Sequence, residues 1–407
     1  RRARPARRLE ALRGVLSEEE VRQALAALLP RRDPSTRTTT LGAGGYDIDA
    51  GRRYLAGTVD EGLALPTWPR RHGGRDSDHE EARLIAMVRR EFAVPDIYPF
   101  GVGTRMVGPT LLEHGTVSQQ DRWVRRIASG DDIWCQMFSE PEAGSDLANA
   151  ATAAVRYGTG WTLTGQKVWT SRAAYAQWGI CMARTDPSAP KHRGLTMFAV
   201  DMSTPGVEVR PLRQMNGDSH FSEVFLTDAW VPDHDRIGDV NNGWAVAVSV
   251  LAHERGGNDG GVPAPSRGRR PSWLVDLVAG GHLGDPVIRD RAMRLYCYDE
   301  AVRYNRLRAA AAIRSGQRPG PEGSGMKLHA SRSFKTRVDL LATAAGSEAT
   351  LTDWGGAVDF LTGPSMSIRG GTDEIQYNIV AERVLGLPPE PRADRDVPWS
   401  RSRRGLQ

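Results

Sequence analysis

The chain has 407 residues, 40% apolar and 25% charged, the balance of a soluble globular protein with room for two or three domains. No run of about 18 apolar residues occurs, which excludes a membrane-spanning helix. The formal charge of +5 is matched by Arg1, Arg2, Arg4, Arg7 and Arg8 alone, a solvated segment with no apolar stretch behind it rather than a nucleic-acid surface or a secretory signal. Cys135, Cys181 and Cys297 are too few and too scattered for a disulfide framework or a zinc site, and His72, His220 and His253 lack metal-ligand spacing. A cytoplasmic protein without a metal is expected.

Residues 1–130 read as mostly helical. Ser17, followed by three glutamates, opens a helix with Val21, Leu25 and Leu28-Leu29 at helical spacing, and Pro30 stops it. The polar, Gly-bearing stretch 35–45 is a loop, and 47–63 returns to helical spacing. Pro66-Thr-Trp-Pro69 and Gly73-Gly74 form a turn cluster. Helices are expected over 78–93, 104–115 and 118–129, the last amphipathic through Trp123, Val124 and Ile127 and stopped by Gly130.

Over 131–238 the period changes to two. Trp161–Thr164 alternates, Gly165-Gln166 turns and Val168-Trp169 resumes. Further strands over 176–184, 194–201, 206–212 and 221–228 suggest a small antiparallel β-barrel. Residues 239–390 are helical again. Trp244–Arg255 is apolar on nearly every face, which implies a buried helix, and a Gly/Pro-rich interruption fills 256–271. Helices follow over 272–280, 285–315, 325–345 and 347–362. A final helix starts at Thr372 with Asp373 and Glu374 in its first turn, buries Ile375, Ile379 and Val384, and ends at Gly386. Residues 391–407 lack periodicity and read as a mobile tail.

Two stretches carry the candidate chemistry. Trp134–Asp146 packs Pro141, Gly144, Ser139 and Ser145 into a tight loop after an apolar run, suited to offering N–H and O–H donors to an anionic or heteroaromatic ligand. Gly165–Ser171 ends an alternating strand in Trp169, flanked by Thr170 and Ser171. A flat ring beside hydroxyls can cover one face of a planar cofactor and bond its edge.

In this order and spacing the two stretches resemble the signature segments of the acyl-CoA dehydrogenase family, and Gly370-Gly-Thr-Asp-Glu-Ile-Gln376 with Ala381–Gly386 resembles its C-terminal signature. The resemblance implies an α+β fold, with an N-terminal helical domain, a middle antiparallel β-barrel and a C-terminal helical bundle. It implies bound FAD and dehydrogenation of an acyl-CoA thioester to the 2,3-enoyl product. Gln136, Phe138, Ser139, Gly144, Ser145, Trp169, Thr170, Ser171, Thr372 and Glu374 match flavin contacts, and Ser145, Arg255 and Arg369 fall where substrate is met.

The commonest family pattern places the catalytic base where this chain has Gly370, which leaves only a backbone N–H for the thioester carbonyl. Relatives resembling isovaleryl-CoA dehydrogenase carry the base before an arginine on the first long C-terminal helix, and Glu254 matches that place. Glu254 also ends an otherwise apolar helix near its negative dipole end, a setting that raises a carboxyl pKa. The family's Arg-x-x-Phe-Gly and Gln-x-x-Gly-Gly-x-Gly segments, which complete a neighbouring subunit's flavin site, have no match at 256–271 or 341–347. The chain resembles the actinobacterial branch, some of whose members act on steroid side-chain thioesters or form α2β2 heterotetramers. An electron-transferring flavoprotein and a homo-oligomer or heterotetramer are the expected partners. Two other outcomes remain open: a non-catalytic partner subunit, or a flavin oxidase or N-oxygenase on the same fold.

Overall fold

The computed structural model describes residues 14–33, 47–256, 271–315, 320–391 and 394–402. The loop read at 35–45 and most of the interruption read at 256–271 lie outside the described residues. Two compact units are present, one of Arg1–Leu212, Ser219–Gly261 and Ala393–Gln407, the other of Arg213–Asp218 and Val262–Arg392. No described helix is long and apolar enough to cross a membrane.

The first unit begins with helices whose ends are written in their caps. At α1 (Glu18–Ala26) the Ser17 side chain accepts from Glu20 N while Ser17 N–H donates to the Glu20 carboxylate at 2.8 Å. Asp47 caps α2 (Ile48–Val59) and Asp78 caps α3 (His79–Arg89). The helix expected from 104 begins as a π-helical turn, Gly103–Val107, and continues as α4 (Gly108–His114). A Thr116/Gln119 capping box opens α5 (Val117–Ala128), whose Trp123, Val124 and Ile127 are buried, and Gly130 ends the segment at φ +75°.

The β region holds β1 (Trp134–Met137), β2 (Ala153–Tyr157), β3 (Gly160–Ser171), β4 (Trp178–Arg184), β5 (Leu195–Asp201), β6 (Val207–Leu212), β7 (Phe221–Pro232) and β8 (Arg236–Ile237). They form one sheet in the order β6-β7-β3-β2-β4-β5-β8, with β1 on β4. β1 and β2 both run parallel to β4. The expected antiparallel barrel is thus corrected to a mixed sheet whose pairing path stays open among the described residues. The turn expected at Gly165-Gln166 is also absent: β3 runs through it, with two register shifts against β7. A Cβ at Gly165 would lie 2.6 Å from Thr152 Oγ1, so this glycine permits close approach rather than reversal.

The helix expected to be buried all round, α6 (Gly243–Gly256), buries only one face through Gly243, Val246, Ala247 and Val250. Val248 on the other side is 45% exposed. The glycine at its start is required by space, since a Cβ there would come within 2.6 Å of the Thr196 backbone.

The second unit packs α7 (Ser272–Ala279), α8 (Pro286–Arg314) and α9 (Gly323–Ala345) around Trp273, Leu274, Leu277, Ala292, Leu295 and Leu340. The helix expected over 347–362 is broken into a 3₁₀ turn, Gly346–Thr350, and α10 (Ala357–Thr362), with Gly355-Gly356 between them. After α11 (Asp373–Ile379) the chain widens into a π-helical turn, Val380–Val384. Gln376 rather than Ile375, Ile379 or Val384 is the fully buried residue here, and Val384 is 43% exposed. Residues 394–402 belong to the first unit and end in α12 (Trp399–Ser402). The expectation of a mobile tail is corrected for these residues by their docking onto the loop 185–191, described below.

Candidate active site

In the first unit a buried lysine ties the two candidate stretches together. Lys167 lies on β3 and is fully buried. Its ammonium donates to the carbonyls of Phe138 (3.2 Å) and Met182 (2.7 Å) and to Glu140 Oε1 (2.8 Å). Glu140 in turn accepts from the N–H groups of Ala151 (2.6 Å) and Thr152 (2.9 Å). Burial pushes the Glu140 carboxyl up, but the Lys167 charge and these hydrogen bonds outweigh it and hold the pKa below its ordinary value. A backbone bond from Val168 N–H to Ser139 O at 2.9 Å completes the seam. The loop after β1 and the end of β3 therefore form one piece.

On that piece, Gln136 and Ser139 are half-buried, and Gly144 and Ser145 are exposed, with nothing within 4 Å of a Cβ built at Gly144. The Phe138 side chain is 3% exposed and packs in the core, and its carbonyl accepts from the buried Lys167. Trp169 is 60% exposed at φ +58°, a conformation that is strained for a bulky side chain. Its ring meets Phe221 edge-on at 6.1 Å. Thr170 is buried and its hydroxyl finds no partner among the described residues; Ser171 is half-buried. Arg172, again at positive φ, donates from Nε to Tyr98 O at 2.7 Å and fixes the end of the strand. An open donor loop, a presented flat ring and an unpaired hydroxyl fit the edge of a flavin.

In the second unit, Gly370 and Gly371 lie at φ +67° and +85° and lead into Thr372, whose side chain caps α11 by accepting from Ile375 N–H. Gln376 Nε2 donates to Gly370 O at 3.0 Å. A Cβ at Gly371 would sit 2.4 Å from that amide nitrogen. Asp373 pairs with Lys327 at 2.7 Å and Lys335 at 3.6 Å. Arg369 and Glu374 are exposed. The structure thus brings 369–374 together as a backbone-shaped strip with little side chain at its centre.

Glu254 lies in the last turn of α6 and is exposed, so the described residues do not supply the low-dielectric setting expected for it. The Arg255 side chain lies outside the described residues. The preceding turns are anchored to α4: His114 and Ser249 share a hydrogen bond at 2.8 Å, and His253 meets Glu113 at 3.0 Å. The sequence reading missed Lys167, although its signal was available. Period two from Trp161 and Leu163 puts residue 167 on the inward face, where a lysine demands a partner.

Three successive sequence models of the acyl-CoA dehydrogenase family match the chain: the N-terminal domain over residues 33–131, the middle domain over 135–229 and the C-terminal domain over 241–385. The chain is 42% identical to the acyl-CoA dehydrogenase FadE34 of Mycobacterium tuberculosis over 337 residues, 81% of this chain but 45% of that relative's length. It is 38% identical to the acyl-CoA dehydrogenase IpdE1 of Mycolicibacterium smegmatis over 346 residues, 81% of this chain and 86% of the relative. Among solved structures, the Tcur3481-Tcur3483 steroid ACAD shares the fold with a TM-score of 0.71 at 25% identity, over 95% of this chain and 97% of the other. A two-chain complex is also among the structural neighbours.

Proposed function

Because the chain belongs to the acyl-CoA dehydrogenase family of flavoprotein oxidoreductases, we propose that it removes hydrogen from Cα and Cβ of an acyl-CoA to give the 2,3-enoyl thioester. The family is typically FAD-dependent, and FAD, when bound, supplies the acceptor for the Cβ hydride. Trp169, Thr170, Ser171 and the loop from Ser139 to Ser145 would hold its ring system, and Thr372 and Glu374 are proposed as further flavin contacts. The joining of loop and strand by buried Lys167 carries this assignment, because it gives the loop and the presented ring one fixed geometry.

Proton abstraction falls to Glu254. The α-proton of a thioester is weakly acidic, so the carbonyl oxygen needs a donor where enolate charge develops, and the Gly370 N–H is proposed for that role. Bound substrate would cover Glu254 and exclude water from it. Arg255 is proposed to meet the charge of the CoA nucleotide, with Arg369 and Ser145 nearer the acyl group. Likeness to the Tcur3481-Tcur3483 steroid ACAD supports a bulky acyl group of steroid side-chain kind and assembly with a second, related subunit. Electrons would leave to an electron-transferring flavoprotein.

Glu254→Gln is expected to retain flavin but to lose bleaching of the visible band by substrate, at least a thousandfold in rate. Full bleaching in that variant would remove Glu254 as base. A second reading, a half-site partner subunit, is favoured by one observation: the commonest base position holds Gly370. A purified single chain that is yellow, near one FAD per chain, and bleached by an acyl-CoA would decide against it. A colourless chain would decide for it.

A further inference from the structure

Residues 394–402 dock on the segment that immediately follows the ligand loop. Lys191 bridges Asp394 (2.7 Å) and Asp146 (3.0 Å), and Asp146 is the last residue of the loop. Three residues on, Asn149 accepts the indole N–H of Trp399 through Oδ1 at 2.8 Å. The Trp399 ring also covers the guanidinium of Arg184, 4.7 Å from its centroid. Arg184 is 3% exposed and donates to the carbonyls of Ala148 (2.6 Å), Ala150 (3.1 Å) and Lys191 (2.8 Å). Backbone bonds from Trp399 N–H to Ala189 O (2.9 Å) and from Ser400 N–H to Pro187 O (3.0 Å) seat the segment. Residues 146–150 are therefore held from inside by Arg184 and clamped from outside by Asp394 and Trp399.

The upstream end of the loop is fixed by Lys167 and Glu140, while Gly144 and Ser145 between the two ends are exposed. A loop anchored at one end would have to be ordered by its ligand, at a cost in affinity; a loop anchored at both ends presents its donors already placed. We infer that Lys191, Asp394 and Trp399 are positioning residues, and that the C-terminal segment is a strap that preorganises the loop Ser139–Asp146 for its flavin and thioester ligands. This rests on the loop being the flavin site proposed above.

The test uses the 407-residue chain with Trp399→Ala, Trp399→Phe or Lys191→Gln, and a chain ended at Pro391. Three quantities are compared with the parent: backbone hydrogen exchange at 143–150 without FAD, the FAD dissociation constant, and KM against kcat at saturating flavin. Trp399→Ala and the shortened chain are expected to exchange at least tenfold faster at 143–150 and to bind FAD about tenfold more weakly, with kcat retained. Trp399→Phe, which keeps the ring over Arg184 but loses the bond to Asn149, should fall between. Unchanged exchange at 143–150 in Trp399→Ala overturns the strap, as does faster exchange with unchanged FAD affinity. Failure of the parent chain to bind FAD would instead overturn the self-sufficient flavin site proposed above, in favour of the half-site subunit. Should the shortened chain not fold, the point variants decide.

Discussion

The two sets of candidate site residues are built on opposite principles. In the first unit a charged side chain does the fixing: Lys167, with no exposed surface, gathers two carbonyls and a carboxylate from separate parts of the chain. In the second unit the centre of the strip is two glycines at positive φ, fixed by a side-chain amide and a threonine cap. A buried ion pair can set geometry over long sequence separations but fails badly when one partner is lost. A glycine strip offers backbone N–H groups at no side-chain volume, but its shape depends on the absence of Cβ atoms. Each design therefore has its own point of failure.

Lys167→Met should break the first design with the largest effect. It leaves Glu140 buried without its counter-charge, for a loss of about 3–5 kcal/mol in unfolding free energy by urea titration. Flavin retention should fall with it, and a variant as stable as the parent would show that the pair does not hold the seam. Gly371→Ala should break the second design more mildly. Its φ of +85° and the 2.4 Å approach of Gln376 Nε2 predict a cost of about 1–3 kcal/mol. Thermal unfolding reads the cost, and substrate KM should rise while flavin stays bound. Indifference to the added methyl would mean that the strip adjusts freely.

The sequence exposed most of the elements that these designs stand on, wherever apolar period and caps agree. The Ser17 box, the buried Trp123–Ile127 face and the strand Leu195–Asp201 are instances. It misled where one residue type serves two ends. Gly165 looked like a turn and serves a close strand approach, and Gly355-Gly356 interrupts a stretch that reads as helical. Parallel pairing of β1 with β4 joins residues more than 40 apart and leaves no local trace. The strap escaped for the same reason: one tryptophan, one aspartate and a few backbone bonds have no period. Of the candidate site, the loop and the Trp169–Ser171 stretch are legible as motifs, whereas the lysine that binds them to each other requires the inward face of β3 to be read for charge.

The smallest predicted effect separates the units by pH. Burial, reinforced by the Arg71 charge, pushes the His72 imidazole of the first unit below its ordinary value. The unfolded chain then binds the proton more readily than the folded one, so stability is full above the ordinary histidine value of about 6.5 and declines as pH falls through the lowered folded value. In the second unit, burial pushes the Asp373 carboxyl up, but hydrogen bonds from Lys327 and Ser367 and the lysine charges hold it below its ordinary value. Its contribution is present above about pH 3.9 and is lost only as pH falls further. The Glu140 contribution follows the same sign, starting near about 4.3. Between pH 7 and 5 the decline should therefore come from His72 alone among these three groups. Urea titrations at pH 7.5, 6.5 and 5.5 should show a shallow loss in the parent chain that flattens in His72→Asn. An undiminished slope in that variant would place the proton uptake elsewhere.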